Sequence, residues 1–293
     1  MKIEIQPGTG FCFGVALAVE TIEKNLQTYN KLKCLGSIVH NPAEIQRLQD
    51  LGLELVSHPE LEATQGEKIL VRSHGEPPET FEKAAKRGNE IIDATCPVVK
   101  KLQSRIKQVH ENHPEKQILV YGNPGHPELV GLVGQTNNSA FIIDDNYNGL
   151  EKIDFSKPMV LFSQTTQGIE GFKKLGSIIR SRVSAGGNDP SVLFVQHHTI
   201  CGQVSQRGPK IKEFARKHDV MIFVGGKNSS NGKYLFGICV TQNPKSYFIE
   251  NPRELQKSWF ENADSIGVSG ATSTPMWQLE GVAEAIRNLK LNR

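Results

Sequence analysis

The chain has 293 residues, a net charge of +3 and a hydrophobic share of 38%, with 22% of residues charged. That is the make-up of a globular protein, long enough for one large core or roughly two to three small ones. The mild charge and the lack of any basic run argue against nucleic acid as a partner, and no apolar stretch approaches membrane-spanning length.

Met1-Lys2-Ile3-Glu4-Ile5 alternates as a short strand and carries no signal-peptide core. The five cysteines are therefore expected in the reducing cytosol, where metal ligation or catalysis is a more frequent role than a disulfide. After this strand, Gly8-Thr9-Gly10-Phe11-Cys12-Phe13-Gly14 reads as a tight loop around a cysteine. Val15, Val19, Ile22 and Leu26 then mark one face of a helix. Lys33 to Val39 reads as a strand with Cys34 in the core, ending at His40-Asn41-Pro42. A short helix is predicted over 44–51 and a strand over 53–56. Lys68 to Val71 is a strand ending at Arg72-Ser73-His74-Gly75, followed by a helix from the prolines at 77–78 to Gly88.

Ile91-Ile92-Asp93-Ala94-Thr95-Cys96-Pro97 is the stretch around which the chain is organised. The isoleucines read as the end of a buried strand, Asp93 and Thr95 are helix-cap types, and Pro97 suits the first helical position. Cys96 then sits at a strand-to-helix turn, where a helix N-terminus favours negative charge.

The plan repeats. Gln117 to Tyr121 is a strand ending in Gly122-Asn123-Pro124-Gly125-His126-Pro127-Glu128. Strands follow at Phe141–Ile143 and Met159–Phe162, the latter ending in Ser163-Gln164-Thr165-Thr166, with a helix over 168–182. Ser184 to Pro190 has linker composition. Val192 to Val195 opens the last third, which carries Cys201, a helix with Val204, Ile211 and Phe214 on one face, and a strand over 221–224. Gly225-Gly226-Lys227-Asn228-Ser229-Ser230-Asn231 places donors before a helix N-terminus, a favourable anion site. Short strands at 247–249 and 266–268 precede Ser269 to Pro275 and a closing amphipathic helix.

Strand, polar turn and helix recur throughout, so the expected class is α/β with parallel sheets. About a dozen strands suggest three small α/β units, divided at 13–96, 97–196 and 197–293 together with 1–12. His40, His74, Cys96, His126, Glu128, Thr165, Ser229, Asn231 and Ser273 all follow apolar strands, where parallel sheets bind ligands. Cys12, Cys96 and Cys201 are too far apart for a zinc or ferredoxin motif. Three thiolates converging from three units can hold an iron–sulfur cluster with one iron open as a Lewis acid. Zinc, or a single nucleophilic cysteine paired with histidine, fits the same residues.

Eight short motifs then carry a resemblance that spans nearly the whole chain in order. They are GFCFGV at Gly10–Val15, VHN at Val39–Asn41, SHG at Ser73–Gly75, DATCP at Asp93–Pro97, GHPE at Gly125–Glu128, QTT at Gln164–Thr166, KNSSN at Lys227–Asn231 and GATSTP at Gly270–Pro275. The sequence resembles the 4-hydroxy-3-methylbut-2-enyl diphosphate reductases, which close the non-mevalonate isoprenoid pathway. Thr9-Gly10 stands where that family often has Arg-Gly, and Cys201 is matched by its place ahead of the KNSSN loop, not by its neighbours.

The resemblance implies a pseudo-threefold cloverleaf of three α/β units around one central [4Fe–4S] cluster per chain. Cys12, Cys96 and Cys201 would be its three ligands. It implies that His40, His74, His126, Thr165, Ser229, Ser230, Asn231 and Ser273 bind the diphosphate substrate, and that Glu128 supplies protons with help from Thr165. The implied reaction takes two electrons and two protons and releases water from an allylic alcohol, giving isopentenyl and dimethylallyl diphosphates. No G-x-G-x-x-G follows a strand, so the electron donor is expected to be a separate ferredoxin or flavodoxin.

Overall fold

The computed structural model describes residues 2–291, with Ser230, Lys290 and Leu291 described by backbone alone. The chain opens with β1 (Lys2–Ile5), α1 (Phe13–Tyr29), β2 (Leu32–Leu35), α2 (Pro42–Asp50) and β3 (Leu53–Val56). Next come α3 (His58–Ala63), β4 (Lys68–Val71), α4 (Pro78–Lys86), β5 (Glu90–Asp93) and α5 (Pro97–Asn112). The middle holds β6 (Gln117–Tyr121), α6 (Pro127–Gly134), β7 (Phe141–Ile143), β8 (Met159–Ser163), α7 (Ile169–Ala185), α8 (Pro190–Leu193) and β9 (Phe194–Gln196). The last part is α9 (Gly202–Ala215), β10 (Val220–Val224), α10 (Ser230–Gln242), β11 (Ser246–Ile249), β12 (Ser265–Gly270) and α11 (Met276–Leu291).

The strands form three four-stranded sheets, ordered β1-β12-β10-β11, β3-β2-β4-β5 and β7-β6-β8-β9. Their registered pairings run parallel, for example Ile222 beside Val268, Leu70 beside Ile92 and Leu119 beside Leu161. This bears out the expected α/β class with three parallel sheets. The central strands β8 and β10 are buried along their whole length, as expected of largely apolar strands inside a parallel sheet.

Contacts group the chain into two compact units. One comprises Met1–Leu32, Ser37–Glu54 and Gly202–Arg293, and the other Lys33–Gly36 and Leu55–Cys201. The first has one core among Val220, Ile222, Ile266, Val268, Leu279 and Val282, and a second around Met221, Phe223, Leu235 and Cys239. In the second unit, Leu119, Leu161, Phe172, Leu175 and Ile179 form one core, and Leu102, Ile106, Val120, Leu132 and Phe162 another.

Four local expectations change. The strand expected over Lys33–Val39 stops at Leu35, because Gly36 turns into the left-handed region at φ 72°. A side chain there would also meet the Arg72 guanidinium, 2.3 Å from an added Cβ. Ile91 and Ile92 are only partly buried, since β5 lies at the sheet edge. The N-cap of α5 is Cys96 itself; Asp93 instead accepts from Thr95 N–H at 3.0 Å and pairs with Lys100. Val192 and Leu193 belong to α8, capped by Asp189 with Pro190 at its start, and the strand begins at Phe194.

Candidate active site

Each candidate residue lies just beyond the carboxyl end of a strand, the place where parallel sheets present loops to ligands. Within the first unit, β1 leads to Cys12, β10 to Ser229 and Asn231, and β12 to Ser273; His40 lies in the loop before α2. Within the second, β4 leads to His74, β5 to Cys96, β6 to His126 and Glu128, β8 to Thr165, and β9 to Cys201. The side chain of Ser230 lies outside the described residues.

In the first unit, Cys12 is the N-cap of α1, and its N–H donates to the Thr272 carbonyl at 3.1 Å. Thr272 in turn donates to Oδ1 of Asn231 from its backbone N–H at 3.3 Å and its hydroxyl at 3.1 Å. With Oδ1 so engaged, the Asn231 amide points Nδ2 the other way. That nitrogen and the Ser273 Oγ are both buried with no hydrogen-bond partner among the described residues. Buried donors left unsatisfied in a native fold are rare and mark a place for a ligand or water.

Ser229 caps α10, its Oγ accepting from Gly232 N–H at 3.1 Å, and its hydroxyl proton stays available to a further acceptor. Asn41 is buried and fully engaged. It caps α2, donates to the Ser273 carbonyl at 3.1 Å and donates to Gln278 Oε1 at 2.8 Å. Gln278 donates onward to the Glu250 carbonyl at 2.6 Å. This chain ties the His40 loop to the Ser273 loop. Beside it a cavity of about 240 Å³ is lined by His40, Asn41, Gly226, Asn228 and Glu250, among others. Lys227 is exposed and pairs with Glu254 at 2.8 Å, so its charge is held at the surface.

In the second unit, Glu128 is 2% exposed. Its carboxylate accepts from the Thr165 N–H at 2.6 Å and from the Thr165 hydroxyl at 2.9 Å. Burial pushes the carboxyl up to about 7, against the opposing effect of the two Thr165 bonds. A carboxyl poised there can hold a proton at neutral pH and release it. Thr165 also accepts from Cys201 N–H at 2.9 Å through its carbonyl. Glu128 N–H donates to Nδ1 of His126 at 3.2 Å, so the hydrogen-bond network assigns the imidazole proton to Nε2. His126 and His74 meet edge to face, with ring centroids 5.2 Å apart. Gln164 is fully buried and accepts from Asn123 N–H at 3.1 Å, supporting the loop that ends in His126.

The cysteines divide into two chemical groups, and all five are thiols. Cys34 and Cys239 are fully buried, and burial pushes both up to about 12, so neither suits metal ligation. Cys12, Cys96 and Cys201 are partly exposed; the first two are helix N-caps and the third immediately precedes α9. All three N–H groups follow one pattern. Cys12 donates to Thr272, Cys96 to Ser73 and Cys201 to Thr165, and each acceptor is a candidate ligand-binding residue or the one before it. Partly exposed thiols on loops pinned in this way have the chemistry of metal–sulfur ligands, which the two buried thiols lack.

Thr272, Asn41, Gln278 and Gln164 are supporting residues that sequence reasoning did not single out. For Asn41, Gln164 and Thr272 the signal was present only as membership in the motifs around His40, Thr165 and Ser273, and Gln278 lies outside every motif.

These features define a parallel α/β protein whose strand ends carry thiols, imidazoles, amides and the buried Glu128 carboxyl. The family model described as LytB protein matches residues 3–287, and the chain belongs to that family. A 4-hydroxy-3-methylbut-2-enyl diphosphate reductase of Bacteroides fragilis is 46% identical over 289 residues, covering 98% of each chain. The one of Porphyromonas gingivalis is 46% identical over 293 residues, covering 99% of each. Among solved structures, (E)-4-hydroxy-3-methyl-but-2-enyl diphosphate reductase, described as the terminal enzyme of the non-mevalonate pathway, superposes with a TM-score of 0.74 at 35% identity. It covers 98% of this chain and 99% of that one. The reductase from Plasmodium falciparum superposes with a TM-score of 0.83 at 23% identity, covering 98% and 87%, and speaks for the fold alone. Membership implies a metal cofactor. Among the described residues, no helix is long and apolar enough to cross a membrane.

Proposed function

We propose that this chain removes the hydroxyl of 4-hydroxy-3-methylbut-2-enyl diphosphate by two-electron reduction. Two electrons and two protons enter, the allylic C–O bond breaks, and water leaves with isopentenyl or dimethylallyl diphosphate as product. The cofactor in this reading is one [4Fe–4S] cluster per chain held by Cys12, Cys96 and Cys201. Such a cluster, when bound, supplies single electrons and an open iron that acts as a Lewis acid toward a substrate oxygen. Electrons come from a separate ferredoxin- or flavodoxin-like donor, and the enzyme works in the cytoplasm. The division into units at 13–96, 97–196 and 197–293 with 1–12 belongs to the same reading.

This chain's own residues bind, orient and protonate. Asn231 Nδ2, the Ser273 hydroxyl and the Ser229 hydroxyl donate to the diphosphate, joined by Ser230. His40, His74 and His126 add imidazole donors, His126 through Nε2. Neutral donors bind a diphosphate without a dense arginine cluster, and each bond to a charged oxygen is worth about 1.5–3 kcal/mol. Thr165 holds the Glu128 carboxyl in place by two hydrogen bonds. Glu128 passes its proton to the departing hydroxyl and is refilled from water.

The observation that carries the reading is the Glu128–Thr165–Cys201 chain. By two hydrogen-bonded steps it links a buried carboxyl, able to hold a proton near neutrality, to the backbone N–H of Cys201, one of the three partly exposed cysteines. The test is anaerobic incubation of the purified chain with substrate and a one-electron viologen reductant, with products identified by mass spectrometry. Formation of the two five-carbon diphosphates is expected. Their absence from a chain with full iron content would refute the reading.

A further inference from the structure

We propose that Thr272 is a positioning residue for the anion-binding side of this site, acting through Asn231. The inference rests on the reading of Asn231 as a diphosphate ligand. An amide side chain can present either its oxygen or its nitrogen to a ligand, and only the nitrogen attracts an anion. The Thr272 N–H, 3.3 Å from the Asn231 oxygen, can only donate, so it selects the orientation with the oxygen toward Thr272. The Thr272 hydroxyl adds a second donor to the same oxygen at 3.1 Å. Both side chains are more than nine-tenths buried, so water does not readily replace either bond.

The result is an amide held from behind, with Nδ2 buried and without a partner among the described residues. Beside Thr272 in the chain, Ser273 offers a second buried donor in the same condition. Thr272 meanwhile accepts from Cys12 N–H at 3.1 Å through its carbonyl. One residue thus fixes an anion donor with its N–H and hydroxyl and pins a thiol loop with its carbonyl. The hydroxyl is the part a substitution can remove while the two backbone bonds stay.

The test measures binding of inorganic diphosphate by calorimetry to the full chain purified anaerobically, with iron content and thermal unfolding as controls. Thr272→Val keeps the β-branched shape and loses the hydroxyl. It should weaken diphosphate binding about three- to tenfold, the size expected for one buried hydrogen bond, with iron content unchanged. Thr272→Ser restores the hydroxyl and should bind within about twofold of the parent. Asn231→Ala should weaken binding at least as much as Thr272→Val. The double variant should bind no worse than Asn231→Ala alone, because the hydroxyl acts only through the amide.

Unchanged binding in Thr272→Val beside a loss in Asn231→Ala would overturn this inference and leave the diphosphate reading standing. Losses that multiply in the double variant would overturn action through Asn231. Unchanged binding in both single variants would overturn the ligand assignment of Asn231 and the inference together.

Discussion

Replacing Glu128 by Gln keeps the size of the side chain and much of its hydrogen bonding to Thr165 but removes its ionisation. The carboxyl is buried and held at about 7, against 4.5 for an ordinary glutamate. That gap corresponds to roughly 3 kcal/mol of preference for the protonated form in the folded chain. The sign follows from linkage. The folded state binds the proton more tightly than the unfolded state, so the contribution is full below about pH 4.5 and is lost as pH rises through about 7. Measured by denaturant unfolding, the stability of the parent minus that of Glu128→Gln should therefore fall by about 3 kcal/mol between those limits.

In the proposed reading the same proton serves turnover. With a viologen reductant under anaerobic conditions, kcat should decline above about pH 7 in the parent. It should drop about 10²–10⁴-fold in Glu128→Gln, with iron and substrate binding retained. Near-normal turnover in that variant with full iron would move the proton relay to His126 or Thr165. A stability difference that stays flat with pH would show that the carboxyl is not held protonated by burial.

Ser substitutions at Cys12, Cys96 and Cys201 should each lose iron and activity, whereas those at the fully buried Cys34 and Cys239 should keep both; iron and sulfide analysis decides. Ser229→Ala should raise KM, and because it also removes the cap on α10, it should cost about 1 kcal/mol of stability. A melting scan should show that loss as a fall in Tm of about 2–4 °C. An added Cβ at Gly226 would lie 2.2 Å from the His40 carbonyl oxygen, so Gly226→Ala should displace the His40 loop and weaken inorganic diphosphate binding. Such overpacking should cost about 1–3 kcal/mol in unfolding experiments.

Strand positions were legible wherever a short apolar run met polar turn residues. The expected strands at Lys68–Val71, Gln117–Tyr121 and Phe141–Ile143 match β4, β6 and β7. Apart from β2, which ends at Leu35, strand ends were therefore legible too, and with them the places of the histidines and cysteines. The short helix α3 was missed although Ser57-His58-Pro59-Glu60 is a capping box with proline inside it. An apolar pattern outweighed turn chemistry at Gly36 and at Asp189-Pro190. What the linear chain could not reveal are contacts between distant loops. The bonds from Cys12 to Thr272, from Asn41 to Gln278 and from Glu128 to Thr165 join residues that no local pattern relates. The Glu128 carboxyl is of this kind: GHPE marks the residue, but only its burial raises it toward neutrality.

The claim that the chain is a cluster-dependent reductase is tested most directly by iron and acid-labile sulfide analysis of anaerobically purified protein, paired with turnover of the same sample. The account predicts about four irons and four sulfides per chain, with activity that falls in step with iron as the sample is exposed to air. A colourless, iron-free protein that still turned over its substrate would contradict it.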